Sequence, residues 1–225
     1  MRNILLVVAL SVSVTLHAQS SLQGAWASDN GVLIVAAGFF SYAAYTENAF
    51  NGTYGGAFHT YDDQSAITYE FNTFDKEKVG EIASWTIRLD KDQLTWGEEK
   101  MKRVDNATPG ALAGPWLISG RVRDGEMRMR APSARKTMKI LSGTHFQWIA
   151  YNSETGEFFG TGGGTYTTHD GTYTENIEFF SRDQKRVGAS LPFGYELIHG
   201  AWHHKGNSSQ GNPMHEIWSQ RAPEN

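Results

Sequence analysis

The chain has 225 residues, a formal net charge of −4 and no cysteine. The negative charge argues against nucleic acid as a partner, and without cysteine neither a disulfide nor a lipid anchor on an N-terminal cysteine can form. The chain contains 24 glycines and 12% aromatic residues, many of them in short alternating runs. This composition favours strands joined by tight turns over helices.

The first residues have the features of a secretory signal peptide. Arg2 supplies a positive charge, residues 4–14 form an apolar run, and Ala18 precedes the polar Gln19. The run is shorter than the roughly 20 apolar residues that span a bilayer. We therefore predict a signal peptide at residues 1–18, cleavage after Ala18, export to the periplasm or the medium, and no membrane insertion after cleavage.

A repeat relates the two halves of the chain. Four segments have counterparts, and from Gly55 to Gly80 the offset is a constant 108 positions. The paired segments are residues 22–26 and 112–116, 52–56 and 160–164, 69–71 and 177–179, and 75–80 and 183–188. A fixed offset across separate blocks indicates an internal duplication.

The duplication predicts a first unit at residues 21–105 and a second at residues 111–225, with the turn-forming residues 106–110 as a linker. Each unit offers about eight short strands, a number that closes well into a meander barrel without exposed edges. We predict an all-β fold of two tandem antiparallel meander barrels. The alternative is one larger closed β-sheet built from both repeats.

Each unit opens with Gly-x-Trp, at Trp26 and Trp116, and ends near an arginine, Arg103 or Arg221. This arrangement resembles the calycin superfamily, the lipocalins and their relatives. The resemblance implies lipocalin-like barrels in which each arginine covers the tryptophan at the barrel floor. Such a cation–π contact contributes roughly 0.5–2 kcal/mol.

The second unit also resembles a lipocalin-like family of exported bacterial proteins of unassigned function. The motifs that carry this resemblance are His145-Phe146-x-Trp148, residues 162–166, residues 173–175, Gly188 and Glu216-x-Trp218-x-x-Arg221. The first unit departs from the pattern, because Ile67 stands opposite Glu175. The resemblance therefore assigns any site to the second unit and implies no particular chemistry.

The candidate site centres on a histidine, two tyrosines and a glutamate. Tyr173 and Glu175 are two residues apart and project from one face of a strand, where a barrel lumen could bring them to His145. The predicted ligand-binding residues are His145, Trp148, Tyr151, Tyr166, Tyr173, Glu175 and Trp202. A hydrogen-bonded network inside a filled barrel would use the same residues.

Other motifs have simpler interpretations. Residues 160–164 lack the Lys-Ser/Thr of a phosphate loop and predict a tight bend. Arg121, Arg123, Arg128 and Arg130 predict a solvated strand face. His203 and His204 point to opposite faces of an extended strand, so we predict no metal site, and we expect no cofactor.

The sequence favours a protein that binds a small apolar, aromatic or sugar-like ligand in the second barrel. One alternative is a lyase or isomerase that uses His145, Tyr173 and Glu175 as candidate catalytic residues. Another is a non-catalytic scaffold with filled barrels that meets a protein partner. The sequence predicts no particular oligomeric state.

Overall fold

The computed structural model describes residues 21–47, 49–61, 64–105, 108, 110–208 and 211–222. The predicted signal peptide and part of the predicted linker lie outside these residues. The described chain folds into two nine-stranded antiparallel sheets, one from each repeat. The prediction of an all-β fold with two barrel-like units is confirmed, and the alternative of one shared sheet is wrong. No helix in the described ranges is long and apolar enough to cross a membrane.

The first unit is a curled sheet in the order β6-β5-β4-β3-β2-β1-β9-β8-β7. Every strand pairs with its neighbour in sequence except at one break, between β6 and β7. The strands are β1 (Gly24–Ser28), β2 (Gly31–Ala36), β3 (Phe39–Thr46), β4 (Ala49–Tyr61), β5 (Gln64–Asn72), β6 (Ile82–Ser84), β7 (Ile87–Asp90), β8 (Gln93–Trp96) and β9 (Glu99–Arg103), with the 3₁₀ turn η1 (Lys76–Lys78) after β5.

The second unit is a closed barrel, because its first strand β10 pairs with its last strand β18. A short strand, β11, pairs only with the far end of β10 and extends the wall as a hairpin. The strands are β10 (Gly114–Arg123), β11 (Glu126–Met129), β12 (Arg135–Leu141), β13 (His145–Asn152), β14 (Phe158–His169), β15 (Thr172–Phe180), β16 (Ser190–Ile198), β17 (Ala201–Asn207) and β18 (Pro213–Gln220), with the 3₁₀ turn η2 (Gln184–Arg186) after β15.

The two units repeat each other in detail. The equivalent strands β4 and β14 both carry a register shift, at Gly55/Gly56 and at Gly163/Gly164. Both units begin their 3₁₀ turn with an aspartate side chain that accepts a backbone N–H two residues on. The main difference lies at residues 82–90, where two short strands stand in place of the continuous β16. The break at Trp85 and Thr86 leaves the first sheet open.

Apolar side chains form three cores. One core fills the interior of the first sheet, a second lies inside the closed barrel, and the third lies between the units. The third core takes Ala25, Ile34, Ala36, Phe39 and Phe71 from the first unit and Met138, Ile140, Ile149 and Tyr151 from the second. The units therefore pack as one body through the outer faces of their walls, which leaves both interiors independent.

The tryptophans of the two Gly-x-Trp motifs have equivalent contacts, but the arginines do not. Trp26 and Trp116 each donate a hydrogen bond of 2.9 Å to a backbone oxygen four residues earlier. Arg103 covers Trp26 at 3.9 Å, as the resemblance implies. In the second unit Gln220 pairs with Trp116. Arg221 therefore points out of the barrel and ion-pairs with Glu70 at 2.5 Å, so its predicted floor contact is wrong.

Candidate functional site

A large cavity opens into the closed barrel at the end opposite Trp116. Its volume is about 1020 Å³. The end near Trp116 is closed by a packed cluster that includes Leu112, Leu141, Phe146 and Tyr166. Apolar side chains form much of the cavity wall: Ile118, Trp148, Ile177, Phe180, Leu191 and Phe193. A space of this size with an apolar wall is typical of a small-molecule site.

A buried ion pair lies in this cavity. Lys139 Nζ is 2.7 Å from Glu175 Oε1, and the two side chains are only 5% and 7% exposed. Lys139 is an inward-facing residue of β12, between Met138 and Ile140, which point into the interface between the units. Because moving two charges out of water is costly, a pair at this depth is weak support for stability alone.

Aromatic rings surround the Lys139 ammonium. Its nitrogen lies 4.9 Å from the ring centre of Tyr173, 5.0 Å from Trp202 and 5.3 Å from Trp218. Ring faces attract a cation at these distances. The ammonium is therefore held by one carboxylate and several ring faces, which fixes Glu175 at the side of the cavity.

His204 lies beside this pair and is almost fully buried. Neither of its ring nitrogens has a hydrogen-bond partner among the described residues. Its Nδ1 is 3.8 Å from Glu216, which is too long for a hydrogen bond. Burial, and after it the charge of Lys139, hold the pKa of His204 well below the ordinary value. The ring is therefore neutral and offers one donor and one acceptor to the cavity.

Three further polar atoms of the barrel interior are buried without a hydrogen bond to another described residue: Tyr173 Oη, Trp202 Nε1 and Trp218 Nε1. Burial, followed by the charge of Glu175, raises the pKa of Tyr173 well above its ordinary value, so the phenol keeps its proton. Buried polar groups normally have partners. The filled first unit also contains two buried indole nitrogens without a partner, on Trp85 and Trp96, so the phenol of Tyr173 and the ring of His204 are what distinguish the second barrel.

Arginines stand at the mouth of the cavity. Arg121 and Arg123 come from the end of β10, and Arg182 and Arg186 come from the segment after β15. The predicted solvated face of Arg121 and Arg123 is thus part of the cavity rim. The described residues hold no group of three or more histidine, aspartate or glutamate side chains that could bind a metal ion.

Five of the predicted site residues lie inside the closed barrel, at different depths. One of them, Tyr173, lies beside Lys139. Trp148 and Glu175 line the cavity itself. Trp202 is fully buried in the core next to Lys139. Tyr166 lies at the closed end, where its hydroxyl donates a hydrogen bond of 2.6 Å to the Ser142 backbone oxygen. The structure therefore brings together the tyrosine, the glutamate and the tryptophans.

His145 and Tyr151 do not join them. Both point outward from β13, opposite to Phe146 and Trp148. Tyr151 donates a hydrogen bond to Glu70 of the first unit. The ring of His145 lies 2.8 Å from Thr144 Oγ1. The predicted grouping of His145 with Tyr173 and Glu175 is therefore wrong, because the barrel wall separates them.

Lys139, His204 and Trp218 were not predicted as a group. Lys139 carried a readable signal, since a charged residue among the apolar Met138, Ile140 and Leu141 is expensive to bury unless it has a partner. His204 was correctly expected to point away from His203. The sequence alone does not show that Lys139 on β12, Glu175 on β15 and His204 on β17 lie together, because their contact depends on closure of the barrel.

The first unit has apolar residues at the matching positions. Leu33 pairs with Trp26 as Lys139 pairs with Trp116, and Ile67 pairs with Phe58 as Glu175 pairs with Tyr166. Leu33 and Ile67 are both fully buried. The same strand order is therefore built in one chain with two apolar residues at these positions, in the open sheet, and with an ion pair, in the closed barrel.

Aromatic side chains fill the first interior where the second is open. Trp96 occupies the position of His204, and Tyr54 occupies that of Gly162. Trp96 packs on Phe40 with ring centres 5.0 Å apart, and Tyr54 lies 6.1 Å from Trp85. These rings take up space that the second unit leaves open.

Comparison with known families identifies the second unit. Residues 111–225 match the family described as a domain of unknown function, DUF4488. No curated protein matches the chain. The match covers 115 of the 225 residues and includes the whole closed barrel with its cavity. Through this barrel, the chain belongs to the DUF4488 family.

Proposed function

We propose that this is an exported, lipocalin-like binding protein whose second barrel holds a small, largely apolar or aromatic ligand. The observation that carries the proposal is the Lys139–Glu175 ion pair in the cavity, where the duplicated first unit has Leu33 and Ile67. Export rests on the signal-like residues 1–18.

The ion pair is expected to add little to the stability of the barrel. Replacing a buried ion pair by apolar residues of similar size is commonly neutral or stabilising. The first unit contains that replacement and keeps the same strand order. The strand order therefore does not require the ion pair, and the position of the pair beside a cavity supports a role in binding.

The wall and floor of the cavity suggest how the ligand is held. Trp148, Phe180 and Phe193 offer flat apolar surface, while Glu175 and the neutral His204 offer hydrogen-bonding groups at greater depth. A ligand with an apolar body and one or two polar atoms at its inner end fits both regions. Placement of those polar atoms would give selectivity, since a buried group left unpaired costs about 1–3 kcal/mol.

The other two hypotheses lose support. Acid–base catalysis by His145 with Tyr173 or Glu175 has no geometric basis, because His145 lies on the outer side of the wall. A scaffold with two filled interiors does not explain the cavity of about 1020 Å³. The first unit, with its aromatic filling, is suited to a supporting role.

Titration with the neutral fluorescent probe N-phenyl-1-naphthylamine tests the proposal. We expect saturable binding to the wild type. His204→Trp copies the residue of the first unit and reduces the space, so the affinity should fall at least about tenfold, a free-energy difference of about 1.4 kcal/mol. His203→Gln, at the adjacent outward-facing residue, is the control and should bind like the wild type. Equal probe affinity for all three proteins would contradict the proposal.

A further inference from the structure

We infer that the ligand of the second barrel is an organic anion, whose apolar body enters the cavity while its carboxylate, sulfonate or phosphate group is bound by the arginines at the mouth. This inference rests on the proposed function and adds the chemical class of the ligand.

The lining of the cavity is cationic although the chain is acidic. It contains five cationic side chains, Arg121, Arg123, Lys139, Arg182 and Arg186, and three carboxylates, Glu175, Asp183 and Glu216. The whole chain has a formal net charge of −4. A cleft of one sign with low-dielectric walls concentrates its field and attracts ligands of the opposite charge.

The carboxylates of this lining are already engaged. Glu175 pairs with Lys139 at 2.7 Å, and Glu216 pairs with Arg121 at 3.1 Å. Asp183 accepts a hydrogen bond of 3.1 Å from the backbone N–H of Lys185 and starts the turn η2. Of the rim arginines, Arg121 is thus taken up by Glu216, whereas Arg123 and Arg182 form no ion pair with these carboxylates.

Arg123 and Arg182 are the rim residues best placed to bind an anion. Arg123 is exposed, and its side chain forms no hydrogen bond or ion pair with any residue in the described ranges, although its backbone pairs with Glu126 in the hairpin. Arg182 donates to the Phe159 backbone oxygen, with its Nε at 2.7 Å, which fixes the guanidinium and leaves other N–H groups available. Guanidinium groups bind carboxylate, sulfonate and phosphate oxygens through paired hydrogen bonds.

The first unit has an apolar residue at the position of one of these arginines. Phe74 stands at the position of Arg182, and its ring covers Gly52 as the Arg182 side chain covers Gly160. The arginine is thus not required to cover this glycine. At this one position the unit with the open cavity carries a charge, and the unit whose interior is filled carries an apolar ring.

Two probes that share one aromatic body separate this inference from the proposed function. N-phenyl-1-naphthylamine is neutral, and 8-anilino-1-naphthalenesulfonate carries a sulfonate on the same framework. Their affinities are measured by fluorescence titration on the full protein as wild type, as the double variant Arg123→Gln/Arg182→Gln, and as Arg128→Gln. Arg128 lies on the same hairpin as Arg123 but outside the cavity lining, so Arg128→Gln is the control for the loss of a single surface charge.

We expect the double variant to bind the sulfonate about tenfold more weakly or worse, because two charge-assisted contacts are lost. Its affinity for the neutral probe should stay within about twofold of wild type, which also shows that the cavity is intact. Added salt should weaken sulfonate binding more in the wild type than in the double variant. Unchanged sulfonate affinity with retained neutral-probe binding overturns the anion inference alone. Failure of the wild type to bind the neutral probe overturns the proposed function, and the inference with it.

Discussion

The Tyr45 hydroxyl donates a hydrogen bond of 2.8 Å to Glu178 across the interface between the units. The equivalent tyrosine of the second unit, Tyr151, donates to the equivalent glutamate of the first, Glu70. The neighbouring rings are also equivalent across the interface, since Phe179 of the second unit packs on Tyr45 of the first and Phe71 of the first packs on Tyr151 of the second. The two halves therefore meet through a pseudo-twofold interface, the arrangement of a symmetric dimer in which the same patch is used on both sides.

The symmetry fails in the cations around the two glutamates, since Arg221 and Lys136 both lie near Glu70, and this predicts unequal effects of equivalent substitutions. Glu70 also binds the buried Arg221, which has no counterpart in the first unit. Glu70→Gln leaves that guanidinium without its carboxylate and should lower the free energy of unfolding by about 3 kcal/mol or more. Glu178→Gln weakens only the bond from Tyr45 and should cost about 1 kcal/mol. Urea denaturation measures both, and equal losses would contradict this account.

A second prediction concerns the buried ion pair and its apolar counterpart. Lys139→Leu alone leaves Glu175 as an unpaired buried charge, so we expect a loss of about 3–5 kcal/mol in the free energy of unfolding. The double variant Lys139→Leu/Glu175→Ile reproduces the residues of the first unit. Its stability should return to within about 1 kcal/mol of the wild type, or exceed it.

The Glu175→Ile single variant completes the double-mutant cycle and should be as damaging as Lys139→Leu. Strong coupling between the two sites is the expected outcome. If the double variant instead loses the sum of the two single losses, the ion pair is a structural requirement of the second barrel and the argument from the first unit fails.

The neutral state of His204 predicts a pH effect. Its pKa is lowered by folding, so below about pH 6.5 the unfolded chain binds a proton that the folded protein does not. The free energy of unfolding therefore falls as the pH falls, by up to about 1.4 kcal/mol per pH unit for this group. His204→Phe should flatten this slope between about pH 6.5 and 5 in urea denaturation curves. An unaltered slope would show that His204 is already protonated in the folded protein.

Glu70 should add a separate loss of stability at lower pH. Burial opposes its ionisation, but the hydrogen bond and charge of Arg221, the bond from Tyr151 and the charge of Lys136 together hold its pKa below the ordinary value. Its contribution is present above the unfolded pKa and disappears as the pH falls through the lower folded one. In Glu70→Gln this acid-induced loss should be absent.

Substitutions at the closed end of the second barrel should lower the free energy of unfolding more than substitutions at the cavity wall. Trp116 is 4% exposed and its ring lies 5.8 Å from that of Trp202. Trp116→Ala should lower the free energy of unfolding by about 3–5 kcal/mol, because a large buried ring is removed from a packed cluster. Trp148→Ala, at the cavity wall, should cost less, since one side of that ring already lacks neighbours. A larger loss for Trp148→Ala would be the opposite of what we expect.

The fold was largely predictable because its signals are local. Alternating strands, turn-forming residues and a constant offset over Gly55 to Gly80 are all visible in the sequence. The break in the first sheet was not, because Trp85 and Thr86 occupy the positions of Phe193 and Gly194 without any change in length. The role of Arg221 was also misjudged, since a shift of one residue from Gln220 moves a side chain to the other face of a strand.

The site was predictable only in part, because some of its residues are close together on one strand and others are far apart along the chain. Tyr173 and Glu175 were correctly placed on one face of one strand, because strand periodicity is a local property. Whether His145 faced inward depended on which side of β13 met the first unit, and that is set by packing between the units. Lys139 and His204 reach Glu175 only through closure of the barrel.

The most direct test of the central claim is the number of ligand molecules that one chain binds. Equilibrium dialysis against N-phenyl-1-naphthylamine, with the wild type and His204→Trp side by side, measures this number. Because the chain contains two related units, two equal sites would give a value of two. We predict one bound molecule per wild-type chain and a large reduction in His204→Trp that keeps the wild-type melting temperature. Two molecules per chain, or one that His204→Trp still binds with unchanged affinity, would contradict a single site in the second barrel.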